Sequence, residues 1–168
     1  FWESSKDLPA QGSVVLPAIS YKGVAKRDTD KHWQDRVSVP TPVQYNLTNQ
    51  GKWYGLSNGD RIWRMKIQCS NATGMAFMLK QVKIPIGAKL DLYSVDGKHK
   101  LNSYKSSDVN PKGNLFAGPV AGTEIMLEYY EPLTVKGQGK FSIFQVQRMY
   151  KDFFRATNSA DPKRDFGD

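Results

Sequence analysis

The sequence contains little cysteine and no long apolar run. Among its 168 residues, Cys69 is the single cysteine, so no intramolecular disulfide and no zinc site of several thiolates can form. No apolar stretch reaches the roughly 18 residues typical of a transmembrane helix, so no membrane span is predicted. One thiol suits both the cytosol and an exported protein without cross-links, so cysteine usage leaves the compartment open.

Acidic residues are also in short supply. The chain has 24 Lys and Arg against 16 Asp and Glu, a net charge of +8. Between Val37 and Gln147 the count is 13 basic against 7 acidic residues, and the basic residues are spread singly. Nucleic-acid sites typically show basic runs or an RNP-type aromatic motif, and neither is present. We therefore expect a basic, solvated surface and no nucleic-acid partner.

Catalytic motifs are missing as well. There is no Gly-x-Ser-x-Gly elbow and no glycine-rich phosphate loop, so neither a hydrolase nucleophile nor a nucleotide site is predicted. His32 and His99 lack a His, Cys or carboxylate three or four residues later, and we expect both to be exposed loop residues. We therefore predict that the chain is not an enzyme and that it binds no cofactor.

Some of the acidic residues are candidates for two kinds of site. Glu124 and Glu128 share one face of a predicted strand. Two carboxylates in such a place are more often solvated surface groups than the acid–base pair of a glycosidase. Asp91, Asp96 and Asp108 are weak candidates for a structural Ca²⁺ site at a sandwich end. Trp53, Tyr54 and Tyr93 are candidates for an aromatic sugar platform.

What the sequence does have is alternation. Over residues 61–69, apolar Trp63, Met65, Ile67 and Cys69 alternate with polar side chains. Period two indicates a strand with one buried and one solvated face. Similar runs recur, separated by turn residues, and predict strands at residues 36–39, 43–48, 62–69, 74–80, 90–94, 100–105, 115–117, 124–130 and 140–147.

These short strands predict an all-β fold, a single antiparallel β-sandwich of jelly-roll or CUB-like character. The predicted organisation has three parts. An extended leader at residues 1–35 contributes one edge strand, the sandwich covers residues 36–154, and a linker toward a following domain covers residues 155–168. The predicted core residues are Trp63, Met65, Ile67, Phe77, Leu79, Leu90, Leu92, Ile125, Leu127, Phe141 and Ile143.

Several segments taken in order resemble a known family. They are LSNGDRIWRMKI at residues 56–67, AFML at 76–79, IPIGAKLDLY at 84–93, GPVAG at 118–122 and EYYEP at 128–132. Their order and spacing resemble the N-terminal, propeptide-like domain of secreted bacterial lysyl-endopeptidase-type (trypsin-like) serine proteases. The resemblance covers residues 36–168, and residues 68–71 depart from it where family members usually carry a Ser-Pro-Gly-like turn.

The resemblance implies a secreted or cell-surface, non-catalytic pro- or accessory domain. Its partner would be the protease catalytic domain of the same polypeptide, which the domain helps to fold or holds inactive. Lys163 and Arg164, in the predicted linker, are candidate processing sites for a protease that cleaves after basic residues. Two alternatives remain open: a secreted module that binds carbohydrate or a cell surface, and a structural or adhesive module.

Overall fold

A computed structural model describes residues 13–18 and 38–150 and shows two β-sheets packed together. The predicted all-β sandwich is confirmed. Within these residues there is no α-helix, only short 3₁₀ turns at Ser106–Asp108 and Leu133–Val135. The strands are β1 (Ser13–Val15), β2 (Ser38–Asn46), β3 (Lys52–Gly55), β4 (Arg61–Gln68), β5 (Gly74–Lys83), β6 (Lys89–Ser94), β7 (Leu115–Ala121), β8 (Glu124–Glu131) and β9 (Lys140–Met149).

The first sheet is built around β4. Strand β8 pairs with one edge of β4 and is followed by β6, while β3 and β1 pair with successive parts of the other edge. The β1–β4 pair is parallel, and the other described pairs in this sheet are antiparallel. Leu16, which follows β1, is 6% exposed and joins the core. Residues 13–18, within the predicted leader, therefore pack on the sandwich.

The second sheet has the order β2-β9-β5-β7, with antiparallel pairs throughout. Strand β2 lies at an edge, and it contains Pro40 and Pro42. Proline cannot donate to a ladder, and an edge strand tolerates it because one side of the strand needs no partner. The two strands predicted at residues 36–39 and 43–48 are therefore one strand.

The core lies between the sheets and matches the predicted alternation. Each of the predicted core residues is at most 1% exposed. Trp63, Phe141 and Tyr129 form its aromatic centre, with ring centres 5.5 Å and 5.8 Å apart in edge-on contacts. Such contacts add to the free energy already gained by burying large rings.

Two further differences from the predicted strands are found. Residues 100–105 form no strand; they touch β6 at isolated bridges, Tyr93 with Lys100 and Leu90 with Tyr104. Strand β3 was not predicted, because residues 52–55 are too short to show a clear period. It extends the edge of β4, where its Trp53 lies opposite Trp63.

Some predictions fall on other parts of the chain. His32, the linker at residues 155–168 and its Lys163 and Arg164 lie outside the described residues. Within the described part, no helix is long and apolar enough to cross a membrane.

Candidate interaction surface

The outer face of the first sheet holds a buried ion pair. Arg64 on β4 and Glu128 on β8 lie opposite each other and are 7% and 1% exposed. Arg64 Nε lies 3.4 Å from Glu128 Oε2, and the Tyr93 hydroxyl donates to that oxygen at 2.9 Å. The prediction that Glu128 is solvated is wrong. Arg64 and Tyr93 supply the charge and the hydrogen bond that a buried carboxylate requires.

Glu124 and Glu128 are engaged separately. The Glu124 carboxylate lies 3.6 Å from Lys66 Nζ and its side chain is 35% exposed. Four residues separate the two glutamates along β8, which places their Cα atoms about 14 Å apart. Glycosidase carboxyl pairs lie roughly 5–10 Å apart. The geometry therefore favours two structural ion pairs over an acid–base pair.

A second buried carboxylate, Glu131, organises the loop between β8 and β9. It is 0% exposed and accepts hydrogen bonds from Arg61 Nε at 2.9 Å and from the Tyr129 hydroxyl at 2.8 Å. The backbone N–H groups of Gly137 and Gly139 donate to it at 2.7 Å and 3.1 Å. Donors from two strands and one loop thus converge on a single side chain.

These contacts set the charge of Glu131. Burial by itself raises the pKa of the Glu131 carboxyl, but hydrogen bonds from Gly137, Arg61, Tyr129 and Gly139 outweigh burial and hold the pKa below its ordinary 4.5. Burial, and then the hydrogen bond to Glu131, raise the pKa of the Tyr129 hydroxyl. At neutral pH the Glu131 carboxylate is charged and the Tyr129 phenol is neutral. The phenol therefore donates a stable hydrogen bond to the carboxylate, which indicates a structural role for the pair.

The loop between β8 and β9 is tightly packed around Gly139. A Cβ at Gly139 would lie 1.7 Å from Tyr129 Oη and 2.7 Å from Glu131 Oε2. Gly139→Ala is therefore expected to lower the free energy of unfolding by about 1–3 kcal/mol, as overpacking usually does. Gly55→Ala is the control, since a Cβ there meets nothing within 4 Å. Equal losses in urea unfolding of both variants would contradict this account of the loop.

Asp60, immediately before β4, joins the loop between β3 and β4 to β8 and to the loop that follows β8. It accepts hydrogen bonds from the Tyr130 hydroxyl and, at 2.8 Å, from the Leu133 N–H. The Tyr130 hydrogen bond is the main reason that the pKa of Asp60 is below its ordinary value. Burial, followed by the bond to Asp60, raises the pKa of Tyr130 to about 12. This pair too is structural.

The candidate calcium ligands are not brought together. Asp91 is buried on β6, whereas Asp96 follows β6 in a turn and Asp108 lies in the 3₁₀ turn. Asp91 accepts a hydrogen bond from the Ser103 hydroxyl, and Asp108 accepts one from the Lys105 N–H. Asp96 accepts hydrogen bonds from the Ser94 hydroxyl and the Lys98 N–H. In residues 13–18 and 38–150, no group of three or more His, Cys, Asp and Glu is arranged to hold a metal.

The other candidate side chains have structural contacts. The predicted exposed His99 is half-buried, and its Nδ1 accepts the Ala121 N–H at 2.8 Å. Trp53 and Tyr54 lie on β3, at the opposite edge of the first sheet from the buried Tyr93 on β6. These three aromatics therefore do not share one sugar-binding platform.

The second sheet differs from the first in charge. Its four strands carry no aspartate or glutamate, whereas β6 and β8 carry four. The middle of its outer face is uncharged, and we call it the Phe116 face. Its members are Pro40, Pro42, Met78, Phe116, Phe144, Gln145 and Gln147.

The register arranges this face as rows across the sheet. Pro42, Gln145, Met78 and Phe116 lie side by side on β2, β9, β5 and β7. Phe116 is 52% exposed, and Gln147 donates to Gln145 at 2.8 Å. From strand and residue spacings, the face measures roughly 300–400 Å². That area is similar to one side of a small interface between domains.

A further exposed apolar side chain lies elsewhere. Ile86, in the turn between β5 and β6, is 89% exposed and borders a groove of about 670 Å³. Lys89, Lys105 and Tyr130 also line this groove. It lies at the β6 side of the first sheet and is separate from the Phe116 face.

Comparison with known proteins assigns this chain to no family. No family model matches the chain. Two of the solved structures that align with this chain show only weak similarity. The Aeromonas hydrophila PliG, a periplasmic inhibitor of g-type lysozyme, aligns over 69% of this chain and 88% of its own, at 7% identity and a TM-score of 0.28. Insecticidal crystal protein Cry2Aa aligns over 69% of this chain and 22% of its own, at 9% identity and a TM-score of 0.30. Structural similarities this low support no conclusion about the function of this chain.

Proposed function

We propose that this chain is the non-catalytic pro- or accessory domain of an exported trypsin-like serine protease of the lysyl-endopeptidase type. It acts by packing on the catalytic domain of the same polypeptide. The proposal rests on the sequence resemblance over residues 36–168 and on one structural observation, the uncharged Phe116 face.

The composition of this face suits contact with another protein. Interface cores are depleted in charged residues and enriched in aromatic residues and methionine. Phe116 and Met78 are neighbours in register, and Gln145 beside them already accepts a hydrogen bond from Gln147. Covering these side chains removes apolar surface from water without stranding a charge. An open sheet face suits a protein surface better than a small ligand, which generally binds in a concave pocket.

The physical role follows from the proposed contact. A domain packed on a protease can occlude its cleft or support the folding of its β-barrel during export. Lys163 and Arg164 would then offer the enzyme a place to separate the two domains while leaving the sandwich folded. The proposed location is therefore outside the cell or at its surface.

Inhibition of the catalytic domain tests this function. We expect a trypsin-like domain to be encoded after Asp168, and the 168-residue chain to inhibit its hydrolysis of a lysyl ester. Phe116→Asp is expected to raise the inhibition constant at least about tenfold, because it replaces an exposed aromatic side chain of the contact with a charge. Ile86→Asp makes the same change at an exposed site off the face and is expected to leave the constant unchanged.

Several results would contradict the proposal. One is the lack of a protease sequence after Asp168, and another is an inhibition constant that Phe116→Asp leaves unchanged. Self-association of the chain on a sizing column, reduced by Phe116→Asp, would favour the structural or adhesive module instead.

A further inference from the structure

One end of the second sheet carries several lysines. Lys83 on β5 and Lys140 on β9 are paired in register, and both are exposed. Like charges directly opposite each other destabilise a sheet. Among residues 13–18 and 38–150, neither lysine forms an ion pair with a carboxylate. The fold thus keeps an unfavourable pair that an anionic partner would relieve.

Two more lysines belong to the same corner. Lys80 precedes Gln81 on β5, and its ammonium lies 5.6 Å from the ring centre of Phe144. Lys112 precedes Gly113, whose carbonyl accepts the Val82 N–H at 2.9 Å. We call Lys80, Lys83, Lys112 and Lys140 the lysine corner. Because Phe144 belongs to the Phe116 face, the corner and the face are continuous.

A pocket borders this corner at Lys140. It has a volume of about 330 Å³, near the lower end of the usual range for ligand pockets. The polar residues that line it are Asn46, Thr48, Gln81, Lys140 and Ser142, and the Thr48 hydroxyl donates to Asn46 Oδ1 at 2.7 Å. Gln81 has a φ of 52°, a conformation that is unusual for a residue other than glycine and that often marks functional positions.

We propose that the lysine corner binds an acidic segment of the partner protein and that the pocket receives one of its carboxylates. The inference rests on the proposed function, because it places that segment on the catalytic domain beside the surface that covers the Phe116 face. Lys140 would offer the ionic contact, and Gln81 and Ser142 would offer hydrogen bonds. Charge would steer the encounter, and the uncharged face would supply the contact area.

NMR titration of the ¹⁵N-labelled 168-residue chain with synthetic peptides tests this site without the protease. The probe is a capped peptide of alternating Glu and Gly, and a Gln–Gly peptide is the uncharged control. Shifts that saturate at Gln81, Lys83 and Lys140 with the Glu–Gly peptide alone, and that vanish at high salt, are expected. No saturable shift at these residues, or an equal response to the Gln–Gly peptide, would overturn the proposal.

A pair of double variants separates the site from overall charge. Lys83→Gln/Lys140→Gln is expected to weaken peptide binding about fivefold or more. Lys98→Gln/Lys100→Gln removes the same charge beyond β6 and is expected to leave binding unchanged. Equal weakening by both pairs would overturn the proposal.

An acidic polysaccharide probe addresses the other class of polyanion. Oligogalacturonate that binds the same residues more tightly than the Glu–Gly peptide would overturn the protein-segment assignment. Failure of the peptide to bind, combined with protease inhibition that depends on Phe116, would remove this inference and leave the proposed function standing.

Discussion

Replacing Trp63 with alanine is expected to lower the free energy of unfolding by about 3–5 kcal/mol, the usual cost of deleting a buried large aromatic. Trp63 is fully buried, and its ring centre lies 5.5 Å from that of Phe141. Its indole N–H donates to the Gln50 carbonyl at 2.8 Å. Alanine leaves a cavity between the sheets and removes the donor to Gln50. Urea unfolding followed by far-UV circular dichroism measures the loss.

Trp63→Phe is the matched control for this change. It keeps a ring in the core and loses the indole N–H and part of the volume, so its cost is expected to be smaller than that of alanine. A loss of about 0.5 kcal/mol or less for the alanine variant, the size typical of surface positions, would show that Trp63 is not central to the core.

Glu131→Ala is expected to cost about 3–5 kcal/mol, as does removal of one partner from a buried ion pair. The change takes away the acceptor shared by Arg61, Gly137, Gly139 and the buried Tyr129. An unpaired buried hydroxyl is costly because it has lost water as well as its partner. Glu131→Gln keeps the shape without the charge and is expected to cost less in the same unfolding assay. Equal costs for the two variants would contradict this expectation, and a Glu131→Gln variant as stable as the natural chain would show that the charge contributes nothing.

The contribution of Glu131 depends on pH in a defined direction. Its pKa is lower in the folded protein than the ordinary 4.5, so the unfolded chain takes up the proton first as pH falls. The stabilisation is therefore fully present above pH 4.5 and is lost as the pH falls through the folded-state pKa. Unfolding free energies measured from about pH 7 to about pH 3 should fall less steeply for Glu131→Gln than for the natural chain. Parallel pH profiles would contradict this assignment.

Alternation was sufficient to identify the core. Trp63, Met65 and Ile67 face inward as predicted, because a period of two leaves only one choice of buried face once the strand is recognised. Strand limits were harder to predict. Pro40 and Pro42 lie in the gap between the strands predicted at residues 36–39 and 43–48, and only the edge position of β2, a property of the whole sheet, explains why the strand continues through them.

Buried charge was beyond the reach of the sequence pattern. Glu128 lies at an outward position, where period two predicts water, and its burial depends on Arg64 and Tyr93, which come from other strands. Glu131 is likewise explained by Gly137 and Gly139, which reach it only after the loop folds back. Local patterns carry no information on such convergent contacts.

The Phe116 face was missed for a related reason. Phe116 and Met78 lie on strands far apart in sequence and become neighbours only through the β5–β7 register. One signal was nevertheless available. The segments that form the second sheet contain no acidic residue, and a search for charge segregation among the predicted strands would have separated them from β6 and β8.

Methyl NMR tests the proposed docking most directly. The chain has five methionines; Met78 lies on the Phe116 face, Met126 is on the outer side of the first sheet, and Met65 and Met75 lie in the core. With ¹³C-methyl-labelled methionine, addition of the unlabelled catalytic domain should shift or broaden the Met78 signal and leave the Met126 signal in place. An unchanged Met78 signal at saturating catalytic domain, or a response confined to Met126, would contradict the account.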